Sequence, residues 1–436
     1  MKFYNREKEL AQLEKIENRS KENAQMTFVV GRRRIGKTSL LVKAHQHKTM
    51  VYFFVAKKSE TLLCEEFIEE IKSKLNVEVF GEFRTFQSVF GYLMNLAKTR
   101  HFTLVIDEFQ QFQTVNPTVF SDMQNIWDKN KAESKINLIL CGSDYSLIRK
   151  IFEHSKKPLF GRATAKIHLK AFTTSTLKEI LKDYAPGYSN EDLLALYLFT
   201  GGVAKYLDIL VAERAFTLKQ IIDVMVEENS LFLDEGRNVL IDEFGKDHGI
   251  YFSILSLIAT GKTSRPEIES ILERSIGGYL ERLEEEFGLV EKLRPIFSKL
   301  GSRNVKYQIK DNFLSYWFRF IFKNRSSIEI GNLGYVKNII NRDYKVYSGR
   351  FLEKYFREQL IESGKYANIG SYWDKNGENE IDLVAVNDLE KIALVAEVKR
   401  VRKKISIPVL EEKSLSLRPD LRGYQLKFLG LSLDDM

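Results

Sequence analysis

Only two cysteines, Cys64 and Cys141, occur in the 436 residues, and nothing in their spacing pairs them. A disulfide framework and a zinc ribbon are therefore excluded, and a reducing compartment is expected. The six histidines are scattered, and His45 and His47, two residues apart, are expected to face solvent rather than hold a metal. No apolar run approaches a membrane span: the longest are Leu193 to Phe199 and Tyr251 to Ala259. The N-terminal MKFYNREKEL carries charges where a signal peptide needs an apolar stretch. Internal repeats and low-complexity segments are missing too, so a cytoplasmic chain without a membrane partner is expected. Neither sign of charge dominates: 67 lysines and arginines stand against 59 acids. The resulting +8 permits an anionic partner without requiring one. What is present is apolar mass, 44% of the chain, too much length for one ordinary core and enough for three or four domains.

The central stretch is Phe28 to Leu40, FVVGRRRIGKTSL. An apolar strand runs into Gly31, four residues separate it from Gly36, and Lys37, Thr38 and a helix follow, which is the GxxxxGK[ST] phosphate-binding loop in its structural context. Glycines let several backbone N–H groups turn inward, the helix N-terminus adds positive potential, Lys37 reaches the terminal phosphates, and Thr38 ligates Mg²⁺. For Arg32, Arg33 and Arg34, at the variable positions, phosphate, DNA and no ligand all remain open; of the three, Arg34 is placed in the nucleotide-binding set.

Downstream, strand and helix alternate. Met50 to Val55 reads as a strand, Leu62 to Leu75 and Phe86 to Ala97 as amphipathic helices, and Phe102 to Ile106 as a strand ending in Asp107 and Glu108. Carboxylates at the carboxyl edge of a parallel sheet share that edge with the phosphate loop. Asp107 is expected to hold Mg²⁺ through water, and Glu108 to align and deprotonate the attacking water. A fourth strand, Ile136 to Cys141, leads to Gly142, Ser143 and Asp144, where Ser143 is a candidate sensor of the γ-phosphate. Arg162 precedes a fifth strand, Ala165 to Leu169, and either reaches a phosphate, in cis or in a neighbouring subunit of a homo-oligomer, or is a surface arginine.

FYNRE, GRRRIGKTSL, LVIDEFQ, ILCGSDYSL, PLFGRA and GGVAKYL occur here in an order and spacing that resemble the archaeal-type ATPases of the STAND class. The resemblance covers nearly the whole chain, with Asn5 and Ala204 standing where that family usually has Gly and Pro. It implies a P-loop ATPase core at 1–170 and a helical lid at 171–245, marked by Gly201 and Gly202. ATP is expected at Gly31, Arg34, Gly36, Lys37, Thr38, Ser39, Asp107, Ser143 and Arg6, with Lys37, Glu108 and Arg162 as catalytic groups.

From Tyr251 the pattern changes. Tyr251 to Ala259, Pro266 to Leu272 and Ile276 to Glu285 read as short helices, the second opened by a Ser264/Glu267 capping box. Leu289 to Leu293 and Val305 to Ile309 read as a hairpin with a long tip, completing a winged helix over 246–325. Glu281, Arg282, Glu284, Glu285 and Glu286 on its third helix form a charge pattern that phosphates would repel, so base readout by that helix is not expected. Between Arg294 and Arg325 eight basic residues face one acid, so the wing either touches a nucleic-acid backbone or packs on protein. The aromatics Phe313, Tyr316, Trp317, Phe318, Phe320 and Phe322 are expected in a core.

After a linker near Ser326 to Gly334, Glu353 lies on a helix and strands Ile381 to Val386 and Ile392 to Val398 flank a turn. A turn centred between Leu389 and Glu390 sets Asp382 opposite Glu397, and Lys399, two residues on, shares that face. Opposed carboxylates call for a cation, and Mg²⁺ or Mn²⁺ held by Asp382, Glu397 and Glu353 beside Lys399 is the arrangement of a phosphodiesterase site. The pattern resembles the PD-(D/E)xK nuclease fold, often carried at the C-terminus of the archaeal-type ATPases, and implies a nuclease-like domain over 326–436. The expectation is an α/β multidomain protein: a DNA-associated ATPase whose nucleotide state controls this domain. The alternative is a STAND-type switch in which the nuclease fold is a docking module.

Overall fold

The structure, a computed structural model, describes all residues except 143–144, 300, 303 and 375–378, and the side chains of 145–147, 149, 242 and 246 are left aside as well. The chain divides into two compact units, Lys2–Lys170 and Ala171–Met436. Among the described residues no helix is long and apolar enough to cross a membrane.

The first unit is built on a parallel sheet of β1 (Gln25–Val30), β2 (Met50–Phe54), β3 (Phe102–Asp107), β4 (Ile136–Gly142) and β5 (Ala165–His168), in the order β2-β3-β4-β1-β5. Strands β1, β3 and β4 are buried along their whole length, which is why they read as continuous apolar runs rather than alternating ones. Helices Glu60–Leu75 and Phe86–Leu96 bury Phe67, Ile71, Phe86, Phe90 and Leu93 against one face. Because β4 lies between β1 and β3, the carboxylates ending β3 are one strand removed from the phosphate loop.

His45 is buried, not solvent-facing as the sequence suggested. It caps the helix Lys37–Ala44, its Nδ1 lies 2.9 Å from the Leu41 carbonyl, and its Nε2 is 3.4 Å from Glu17. His47 is exposed.

The second unit opens with helices Thr174–Tyr184, Asn190–Thr200, Ala204–Ala212, Leu218–Met225 and Leu231–Phe244. Three more, His248–Ala259, Arg265–Leu272 and Gly277–Glu281, precede an antiparallel hairpin of β6 (Val290–Leu293) and β7 (Lys306–Ile309), the element order of a winged helix. Ser264 is the N-cap of the second, but its side chain makes no capping bond, and the Glu267 carboxylate pairs with Lys262 at 2.9 Å instead of reaching back to the cap. The expected aromatic cluster is core at five of its six positions: Phe313, Tyr316, Trp317, Phe318 and Phe320 are buried, and Phe322 is half-buried. The hairpin tip packs on protein. The Ile296 N–H donates to the Ser371 carbonyl at 2.8 Å, and Ile296 joins the apolar core of the C-terminal sheet with Ile381, Val384 and Val386.

The expected linker is instead helical. Arg325–Glu329 and Leu333–Tyr347 are helices, the latter burying Val336, Ile340, Tyr344 and Tyr347 at one-turn intervals, a periodicity that its polar flanks disguised. Helix Gly349–Ser363 then leads into β8 (Asn368–Trp373), β9 (Glu380–Asn387) and β10 (Ile392–Lys399), all antiparallel. Helix Ile407–Lys413 carries the chain over to β11 (Gln425–Ser432), parallel to β10.

Candidate functional site

At the first site the backbone of Arg34 (φ 69°) and Gly36 (φ 96°) turns left-handed just before the helix Lys37–Ala44. A side chain at Gly36 would be strained there, and a Cβ on Gly31 would meet the Leu169 carbonyl oxygen at 2.7 Å, so the spacing of the two glycines is a packing requirement. Lys37 is buried and its ammonium donates to the Gly31 and Arg32 carbonyls at 2.7 and 3.1 Å. Burial pushes that ammonium below its ordinary value, while the neighbouring carboxylates of Asp107 and Glu108 act to raise it.

Asp107 is gripped from several sides. Thr38 Oγ1 lies 3.5 Å from its Oδ2, the Tyr52 hydroxyl donates to the same oxygen, and the Cys141 thiol (3.2 Å) and Glu108 N–H (2.9 Å) donate to Oδ1. Burial pushes the Cys141 thiol and the Tyr52 phenol up, so both stay protonated as donors. Thr38 and Asp107, oxygen donors on two facing elements, suit the Mg²⁺ of a nucleotide. Glu108 adopts a left-handed backbone (φ 52°) and its carboxylate accepts from Gln110 Nε2. Tyr52, Cys141 and Gln110 were missed from sequence. Only the strand order and register, with Phe54 beside Asp107, could have revealed the tyrosine.

Arg6 is buried and donates to the Lys170 carbonyl at 2.8 Å. Arg162 is engaged with Asp128 at 2.9 and 3.1 Å. Ser39, the second residue after Lys37 on the phosphate-loop helix, is exposed. Ser143 lies outside the described residues. Gly201 ends the helix Asn190–Thr200 with a left-handed backbone, and the Gly202 carbonyl accepts from the Phe172 N–H at 2.8 Å.

The second site forms where β9 and β10 meet. The observed register runs to Ala396 opposite Leu383 with the alignment that the turn predicted, and Asp382 and Glu397 are the residues just beyond its last pair. Asp382 Oδ2 accepts from the Val398 N–H at 2.7 Å, and the Lys399 ammonium lies 3.3 Å from Asp382 and 3.6 Å from Glu397. The lysine thus bridges the two carboxylates. Burial and the Asp382 carboxylate push Glu353, on helix Gly349–Ser363, up to about 8. Burial also raises Asp382, against the Val398 N–H and Lys399. Among the described residues no three His, Cys, Asp or Glu side chains converge to hold one metal ion. The donors Asp382 and Glu397 have the oxygen chemistry of a Mg²⁺ or Mn²⁺ site, with Glu353 close enough to feel the charge of Asp382. Of the basic run beyond Lys399, Arg400 is bound to Glu191 (2.5 Å) and Ser348 (2.6 Å), and Arg402 to Asp435.

Residues 3–210 match a family described as an ATPase domain predominantly from Archaea. An uncharacterized protein of Methanocaldococcus jannaschii is 31% identical over 409 residues, covering 91% of this chain and 87% of that one. The chain belongs to the archaeal ATPase family. Within this family member, residues 317–407 also match a group described as archaeal and bacterial proteins of unknown function. Among solved structures, the chain resembles the Walker-type ATPase of Pyrococcus abyssi, with a TM-score of 0.55 and 19% identity over 72% of this chain and 96% of that one. It also resembles the ORC2 protein of Aeropyrum pernix in its ADPNP–ADP complexes, with a TM-score of 0.51 and 16% identity over 76% and 96%. At these identities the likeness is one of fold, that of a P-loop ATPase.

Proposed function

We propose that this protein binds and hydrolyses Mg·ATP at 31–39, and that its nucleotide state controls a metal-dependent phosphodiesterase acting on DNA in the C-terminal sheet. At the first site, Lys37 and the loop N–H groups hold the phosphates and Thr38 and Asp107 hold the ion. Glu108 aligns and deprotonates the water. Mg²⁺ supplies charge neutralisation on the transferring phosphoryl group. Arg162 stabilises that charge after leaving Asp128, within one chain or across a homo-oligomer.

The observation that carries the second half is the Lys399 ammonium within 3.3 and 3.6 Å of Asp382 and Glu397. Asp382 and Glu397 would hold the divalent ion, and Lys399 would orient the attacking water. A helix, three antiparallel strands, a helix and a parallel fourth strand, the topology resembling PD-(D/E)xK nucleases, support the same reading.

The test is cleavage of linear, circular and single-stranded DNA with Mg²⁺ or Mn²⁺, with and without ATP, by the native protein, Asp382→Ala and Lys37→Ala. Cleavage abolished by Asp382→Ala and altered by Lys37→Ala is expected. No DNA binding and no cleavage in any nucleotide state overturns the reading. One observation favours a second reading, a STAND-type switch with a docking module: Arg400 and Arg402 are spent on Glu191 and Asp435 rather than left for phosphates. ATP-dependent oligomerisation, with no Mn²⁺ bound at Asp382, is its signature.

A further inference from the structure

The carboxylates at the C-terminal site outnumber its cations. Glu353, Asp382 and Glu397 all act on the single Lys399 of strand β10, and the electrostatic influence of Glu380 reaches both Glu353 and Asp382. A polyanionic strand approaching such a cluster is repelled unless a further cation meets it. Arg400, next to Lys399 in sequence, does not supply that charge, because it is paired with Glu191 and its side chain is only 15% exposed.

The cation comes from another part of the chain. Lys306, the first residue of β7, projects from the hairpin so that its Nζ lies 2.7 Å from Glu380 and 4.7 Å from the centre of the Trp373 ring. Trp373 faces Glu380 across the β8–β9 ladder, and Glu380 is two residues before Asp382 on the same side of β9. The hairpin cannot drift from this place. Trp373 Nε1 donates to Asn304 at 2.9 Å, Asn304 Nδ2 donates to the Asp374 carbonyl at 3.3 Å, and Ile296 is bonded to Ser371. The Lys306 side chain is 37% exposed and that of Glu380 52%. An ion pair so open to water contributes little, so a phosphate competes with Glu380 for the ammonium.

We infer that Lys306, delivered by the hairpin, is a substrate-binding residue of the C-terminal site, holding a backbone phosphate of DNA beside the one positioned at Asp382 and Glu397. This rests on the DNA-directed reading proposed above. It gives the hairpin a role other than groove reading: its tip is fastened to the sheet, and its first β7 residue completes the phosphate path.

The test is salt-dependent binding of a fluorescently labelled DNA duplex, read by anisotropy, in an Asp382→Asn background that removes cleavage. One phosphate contact contributes about 0.9 to the slope of log K against log salt. Adding Lys306→Gln is expected to lower the slope by about that amount and to weaken binding several-fold at low salt. Lys306→Arg is expected to restore both, and thermal melts of the variants establish that they fold. A purely structural Lys306–Glu380 pair predicts an unchanged slope, and that result overturns the inference while leaving the DNA-directed reading intact. Absence of DNA binding by the parent overturns both.

Discussion

The Arg400 guanidinium meets the Glu191 carboxylate at 2.5 Å, joining the residue after the β10 lysine to the helix Asn190–Thr200. A second tie runs parallel to it: Glu362, at the end of the helix that carries Glu353, accepts from the Thr174 N–H at 2.8 Å and the Ser175 hydroxyl at 3.0 Å. Two of the three elements that carry the C-terminal carboxylates, the helix of Glu353 and strand β10, are therefore fastened to the helical segment following residue 171. Arg400→Ala strands a half-buried Glu191 and removes the guanidinium from the Tyr344 ring. A loss on the order of 2 kcal/mol is expected in urea unfolding of the full chain. The double variant with Glu191→Gln should cost less than the sum of the singles.

Tyr52 and Cys141 hold the two oxygens of Asp107 from opposite strands. Tyr52→Phe keeps the ring and deletes the hydroxyl, leaving Asp107 free to rotate away from Thr38. The Mg²⁺ concentration for half-maximal ATP hydrolysis is expected to rise several-fold, with the KM for ATP at saturating Mg²⁺ little changed. Equal Mg²⁺ dependence in the two proteins would argue against the positioning role.

Glu17 is buried and accepts from Thr103 at 2.8 Å and Asn137 at 2.7 Å, with His45 beside it. Burial alone would raise its carboxyl, but His45, Thr103 and Asn137 together bring it down to about 2. A depressed folded-state value contributes stability that is fully present above the unfolded value near 4.5 and is lost as pH falls toward 2. The expected size is on the order of 3 kcal/mol. Glu17→Gln should flatten the decline in unfolding free energy of the first unit between those pH values. A curve as steep as that of the native chain counts against this assignment.

Gly236 sits inside the helix Leu231–Phe244, where alanine has the better helix propensity. A Cβ there would meet Trp317 at 2.2 Å, and the Trp317 indole is itself fixed by donation to the Leu233 carbonyl at 2.9 Å. Gly236→Ala is therefore expected to destabilise by about 1–3 kcal/mol, as overpacking does, and to lower the midpoint of thermal unfolding. Stabilisation would show that the helix shifts freely on the tryptophan.

Strand–loop–helix signals are local, and they were legible: the phosphate loop, the DE pair and the turn register of β9 and β10 each depend on residues close in sequence. The capping box at Ser264 and the solvent-facing His45 misled for the opposite reason. Lys262 competes for Glu267 in one case, and Glu17 reaches His45 from a distant helix in the other. Helix Leu333–Tyr347 was lost because its four buried positions are separated by charged and polar residues.

The sequence by itself determined the chemistry available: a phosphate-binding loop followed by Asp107 and Glu108, and an Asp382, Glu397, Lys399 set whose alternation places all three on one face. Only the tertiary structure decided which partners those groups keep. Tyr52 reaches Asp107 from the neighbouring strand, Lys399 spans two carboxylates, Arg400 is drawn to Glu191, and Lys306 arrives from a hairpin more than seventy residues upstream of Asp382. Periodicity assigns a side chain to a face. Which charge it meets there depends on how strands order and hairpins dock, and those are set by the burial of apolar surface that many distant residues share.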